Sequence, residues 1–96
     1  MSIEARLAEL GFTLPDAPAP AANYVPWVLS GNQLFVSGQI SANADGFITG
    51  KLGDTMTAED GAIAAKFCAI SLLAQLKAGC GGDIDRLVRV VKLVGF

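Results

Sequence analysis

The sequence predicts a small α+β protein, and three observations predict it. Ninety-six residues fit one domain and leave no room for a second. One long apolar-periodic segment, about Ala58 to Ala78, reads as a helix. Shorter runs rich in Val, Ile, Phe, Trp and Tyr (Tyr24–Leu29, Leu34–Ile40 and Leu87–Phe96) read as strands. Composition agrees: 52% hydrophobic, 17% charged and a mean hydropathy of +0.49 describe a globular chain and not a disordered one. A chain this short buries only about 60–65% of its surface when it folds alone. The apolar excess therefore predicts a partner subunit.

The first element is a short helix, Ser2–Leu10. Ser2 is placed to cap it, Glu4 lies in its first turn, and Ile3, Leu7 and Leu10 make one apolar stripe. Gly11 supplies a left-handed stop, after which Phe12 can pack back on Leu7. So short a helix does not persist alone in water and must dock on something. Pro15 to Ala22 is then a proline-rich strap, extended and poor in donors.

Tyr24–Leu29 and Leu34–Ile40 flank a turn signal, Ser30-Gly-Asn-Gln33, and predict a hairpin. Pro26 lacks an N–H and places the first strand at an edge or bulge. Alternation in the second strand sends Leu34, Val36, Gly38 and Ile40 to one face and Phe35, Ser37 and Gln39 to the other. A second turn, Asn43-Ala-Asp-Gly46, precedes a short strand, Phe47–Thr49, and a loop over Gly50–Thr55.

Thr57 is the expected N-cap of the long helix, with Glu59 and Asp60 in the positive first turn. Ile63, Phe67, Ile70 and Leu73, joined by Ala62, Leu72 and Leu76, predict its buried face. Lys66 and Lys77 predict its solvent side, and Gly79 its end. The connector Gly79–Asp83 and a single turn at Ile84–Leu87 lead into Leu87–Phe96. That run is apolar on both faces: Leu87, Val91 and Leu93 on one, Val88, Val90, Val94 and Phe96 on the other. One face can lie under the long helix. The other predicts a subunit interface, and a chain ending inside a strand reads as though more should follow.

Charge and residue counts exclude whole classes of chemistry. Seven Lys and Arg against nine Asp and Glu give a net charge of −2, with the basic residues scattered singly, so phosphate-neutralising nucleic-acid binding has no footprint. The absence of histidine removes Ser-His and Cys-His catalysis and His-ligated zinc; no cofactor and no metal is expected. Cys68 and Cys80 form no C-x-x-C pair. Along one helix they would stand about 18 Å apart, which suits free thiols in a reducing compartment. No signal peptide opens the chain, and Lys66 breaks the best membrane-span candidate, so a cytoplasmic protein without membrane contact is expected.

Two glycine motifs fail on inspection. Gly46-x-x-x-Gly50-Lys51 is one residue short of a P-loop, and Gly79-x-Gly81-Gly82 lacks the third glycine of a dinucleotide fingerprint. The informative string is Val36-Ser37-Gly38-Gln39-Ile40. Glycine inside a strand lets a ligand or a backbone approach closely; the alternative is a bulge glycine with Ser37 and Gln39 satisfied locally. Tyr24 is either a pocket residue or an edge aromatic with its hydroxyl in water. Cys68 reads as a small buried hydrophobe, and Cys80 as a loop thiol with no cationic neighbour.

Gly31–Gln39, the helix opening at Thr57-Ala-Glu-Asp60, and Gly82–Phe96 together resemble the YjgF/RidA family, also labelled endoribonuclease L-PSP. The likeness covers Tyr24–Phe96, with residues 1–22 as an added N-terminal helix and strap and 23–96 as the N-terminal part of the core domain. The resemblance implies a chorismate-mutase-like mixed β-sheet packed against helices, here lacking the C-terminal helix and last strands. It also implies a homotrimer with a ligand pocket at each subunit interface.

The best-known members hydrolyse enamine and imine intermediates to a 2-keto acid and ammonia. An arginine grips the substrate carboxylate and a glutamate positions water. By resemblance Tyr24, Ser37 and Gly38 are ligand-binding residues. The family's Gly-Pro before the tyrosine is Ala22-Asn23 here, and Ser71 stands where relatives carry Asn. The arginine and glutamate belong to the family's second half, so no catalytic residue is assigned in this chain. Arg86 and Arg89 do not fill the role. The reading is thus a binder of a small carboxylate-bearing metabolite, with imine deamination completed by a further segment or a second chain. The alternative is a non-catalytic metabolite-binding or regulatory oligomer on the same fold. RNA cleavage follows only from the family's label.

Overall fold

The computed structural model describes residues 2–19, 23–43 and 45–96. Met1, Pro20, Ala21 and Ala22 of the strap, and Ala44 of the second turn, lie outside them. Helix α1 spans Ile3–Glu9, and its caps are those the sequence offers. Ser2 Oγ accepts the Ala5 N–H at 3.0 Å. At the other end Gly11 takes φ +86°. Its N–H donates to Ala8 O at 3.0 Å while the Phe12 N–H reaches Leu7 O at 2.8 Å, the paired bonds of a Schellman stop.

The helix docks as expected of so short a segment. The Ile3 N–H donates to Asp85 Oδ1 at 2.8 Å, Glu4 pairs with Lys77, and Lys66 Nζ lies 5.5 Å above the Phe12 ring. Ile3 and Leu7 are half-buried by this docking, while Leu10 stays exposed.

β1 (Trp27–Ser30) and β2 (Gln33–Val36) form an antiparallel hairpin that pairs Trp27 with Val36 and Ser30 with Gln33. The turn is tighter than predicted. Ser30 and Gln33 join the ladder, and Gly31 at φ +59° turns the chain. Both strands are shorter than predicted, and Pro26 explains why. The Ser37 N–H still donates to Pro26 O at 2.9 Å, but Pro26 has no N–H to return to Ser37 O. That carbonyl accepts Gln39 Nε2 instead, at 3.2 Å, and Gly38–Ile40 leave the sheet.

β3 (Ala42–Asn43) and β4 (Gly46–Phe47) make a second, smaller antiparallel pair. Ser41 fastens it: its carbonyl accepts the Ile48 N–H at 2.9 Å and its hydroxyl donates to Ile48 O at 2.7 Å.

Helix α2 spans Ala58–Gly79 and opens with a full capping box. Thr57 Oγ1 accepts the Asp60 N–H at 3.2 Å, and Asp60 Oδ2 accepts the Thr57 N–H at 3.0 Å. By length and composition α2 could cross a membrane, although Glu59, Asp60, Lys66 and Lys77 interrupt it. Here it packs on β1, β2, β3 and the following 3₁₀ turn, Ile84–Arg86. Ile84 and Ala74, each 2% exposed, are the fully buried apolar residues among those described.

The expectations for α2 hold at its end and need correction in its first turns. Gly79 is its last residue, Gly81 (φ +73°) supplies the left-handed turn just beyond it, and a Cβ on Gly79 would come within 2.5 Å of Leu34 Cδ2. Of the predicted inward residues Phe67, Ile70, Leu72, Leu73 and Leu76 are half-buried, whereas Ala62 is exposed and Ile63 is 48% exposed; in the first turns Gly61 and Ala64 turn inward instead. Lys66 is exposed as predicted and lies over Phe12, while Lys77 is half-buried and pairs with Glu4. The helix is apolar on most of its circumference, so periodicity gives little choice of face in those first turns.

Residues 87–96 form no strand among the described residues. The correction has a simple cause. A strand is defined by its ladder, and this run pairs with neither of the two-stranded sheets. Neither face lies under α2: Val91 and Leu93 are 78% and 74% exposed on one, and Val88 is 94% exposed on the other.

Candidate functional site

The departure of Gly38–Ile40 from the sheet opens a cavity of about 280 Å³. Gly38, Gln39 and Ile40 line it from the segment beyond β2. Ala42 and Phe47 line it from the small sheet, Ser71 from α2, Tyr24 from the approach to β1, and Pro18 and Ala19 from the strap. Its walls are mostly apolar, and the polar side chains are Tyr24, Gln39 and Ser71. Such a site suits a small ligand with a few polar atoms. Among the described residues no charged side chain lines it.

Two of the three residues predicted from sequence meet here. Tyr24 stands at the rim, 45% exposed. Gly38 lines the interior, and a Cβ built on it meets no heavy atom within 4 Å. That open space argues against a packing glycine at this position. Ser37 is placed differently. Its Oγ is buried without a hydrogen-bond partner, and the residue is not among those lining the cavity. Arg86 is occupied elsewhere: its Nη1 donates to Cys80 O at 3.2 Å, at the end of α2. No cluster of metal-ligating side chains occurs among the described residues.

Sequence reasoning missed Pro18, Ala19, Ala42 and Phe47. Ala42 and Phe47 carry no polar signal. Their place follows from the β3–β4 register, which pairs them directly. Pro18 and Ala19 reach the cavity because Gln75, 57 residues further on, donates its Nε2 to Pro18 O at 2.8 Å. No local pattern announces that bond.

Comparison with known proteins places these features. A family model described as "YjgF/chorismate mutase-like, putative endoribonuclease" matches residues 4–96. Protein TCP17 of Trypanosoma cruzi is 49% identical over 95 residues, covering 98% of this chain and 59% of that protein. The structure of Atu1372, a protein of unknown function from Agrobacterium tumefaciens, superposes with TM-score 0.73 at 44% identity, covering 86% of this chain and 49% of that one. A protein from Shewanella oneidensis MR-1 titled a putative endoribonuclease superposes with TM-score 0.81 at 33% identity, covering 90% of this chain and 57% of that one. The chain therefore spans between 49% and 59% of the length of these relatives.

Proposed function

The chain belongs to the YjgF/chorismate-mutase-like family, and from that premise we propose that its cavity binds a small carboxylate-bearing metabolite. The observation that carries the reading is the convergence of Tyr24, Gly38 and Ser71 on one cavity with open space above Gly38. Gly38 gives a ligand access to backbone. The hydroxyls of Tyr24 and Ser71 offer it hydrogen bonds, and Phe47 and Ile40 shield it from one side.

The described lining residues include no cation, so the counter-charge for the carboxylate comes from a second copy or a further segment. The uncovered apolar run 87–96 fits the same arrangement, a homotrimer with sites between subunits, in a cytoplasmic setting. In that assembly the reaction is hydrolysis of an enamine or imine to a 2-keto acid and ammonia. The same lining favours a second reading, a non-catalytic metabolite-binding oligomer. Among the described lining residues none carries a carboxylate, amine or imidazole to act as general acid or base.

The test combines titration calorimetry with pyruvate and an assay of ammonia release from 2-aminoacrylate, both on the full chain. Saturable pyruvate binding with ammonia release supports deamination. Binding without release selects the second reading. No binding refutes the site. RNA binding that weakens steeply with salt would overturn both in favour of nucleic-acid chemistry. The net charge of −2 and the scattered basic residues argue against that outcome.

A further inference from the structure

We infer that Gln75 is a specificity-determining positioning residue, which latches the proline-rich strap so that Pro18 and Ala19 form a fixed wall of the ligand cavity. The inference rests on the metabolite-binding reading of that cavity and names what limits the ligand's size.

Gln75 is 1% exposed, in the middle of the last turns of α2, one turn beyond Ser71. Its Nε2 donates to Pro18 O at 2.8 Å, while its Oε1 is buried with no partner. A half-satisfied amide in a fully buried position is a poor choice for packing alone, where methionine would fill the same volume with no orphaned atom. What the amide provides is the bond to Pro18. That bond matters because the strap has few other means of attachment. Pro15 and Pro18 have no N–H, and among the described residues the Gln75 bond is the one hydrogen bond from 13–19 to the rest of the chain. Next to the latched carbonyl, Pro18 and Ala19 line the cavity together with Gly38 and Phe47. A wall held by a single side chain sets the depth of the cavity, and releasing it enlarges the space available.

The experiment compares the wild-type full chain with Gln75→Met, which removes donor and orphan together and keeps the volume. ¹⁵N relaxation at the Ala17 and Ala19 amides reads the strap directly, without any ligand. Calorimetry with pyruvate and with the bulkier phenylpyruvate reads the wall. Expected are order parameters near 0.85 in the wild type, falling below about 0.6 in the variant. The affinity ratio of pyruvate to phenylpyruvate should fall by about fivefold, the equivalent of one neutral hydrogen bond. Unchanged order parameters overturn the latch. A loosened strap with an unchanged ratio overturns the specificity role. Absence of binding by both proteins refutes the metabolite reading, and the specificity role with it, while the relaxation data still decide the latch.

Discussion

Replacing Gly38 separates a ligand-facing glycine from a structural one, and the size of the effect follows from the geometry. A Cβ at this position meets nothing within 4 Å, and Gly38 is not among the glycines held at positive φ. Valine therefore costs the fold little, within about 0.5 kcal/mol, and the loss of unfolded-chain freedom offsets part of that. Inside the cavity the balance differs. Three added carbons, each about the 30 Å³ share of a water molecule, take up roughly 90 Å³, about a third of the 280 Å³ available. A ligand seated against the Gly38 backbone must withdraw by the depth of an isopropyl group and lose its hydrogen bonds there. The expected loss is at least about tenfold in affinity, or 1.4 kcal/mol, with Gly38→Ala falling between wild type and valine. Calorimetry with pyruvate measures the affinity, and thermal melting followed by far-UV circular dichroism measures the fold. A melting temperature lowered by about 8 °C or more, equivalent to over 1 kcal/mol in a chain of this size, would refute the reasoning, because it would mean that Gly38 is needed for packing.

Other expectations concern packing, caps and assembly. Gly79→Ala should destabilise by about 1 kcal/mol. Overpacking against Leu34, at 2.5 Å from the new Cβ, outweighs the gain in helix propensity. In a Leu34→Ala background the same change should be neutral or stabilising, and additive values in urea melts followed by Trp27 fluorescence would contradict the contact. Thr57→Ala removes one half of the capping box and should cost about 1 kcal/mol in the same assay. Light scattering should show a trimer for the complete protein, and a well-folded monomer would sink the reading of the uncovered 87–96 run as interface.

What the sequence revealed and what it hid follow from the range of the interactions. Ser2, Gly11, Thr57 and Asp60 were legible because a cap is settled within four or five residues. The hairpin was legible, but its length was not. The missing N–H of Pro26 ends the ladder, and only the register shows which carbonyl it deprives. The inward face of the first turns of α2 was misread at Ala62 and Ile63, because a helix apolar nearly all round gives periodicity little to choose between, and Gly61 lets Leu52 come close there. Tyr24 and Gly38 came from a family resemblance and a glycine in an apolar run. Pro18 and Gln75 could not, because nothing local connects positions so far apart.

The docking of α1 has a consequence for how the chain is made. Its backbone is fastened by Asp85 across 82 residues of sequence, and its charge pair waits for Lys77. A ribosome adding roughly 5–20 residues per second releases this helix seconds before either anchor exists. Through that interval so short a segment has no reason to stay helical. Helix α1 is thus synthesised well before it can be secured, and a nascent chain stalled before residue 77 should leave it open to proteases.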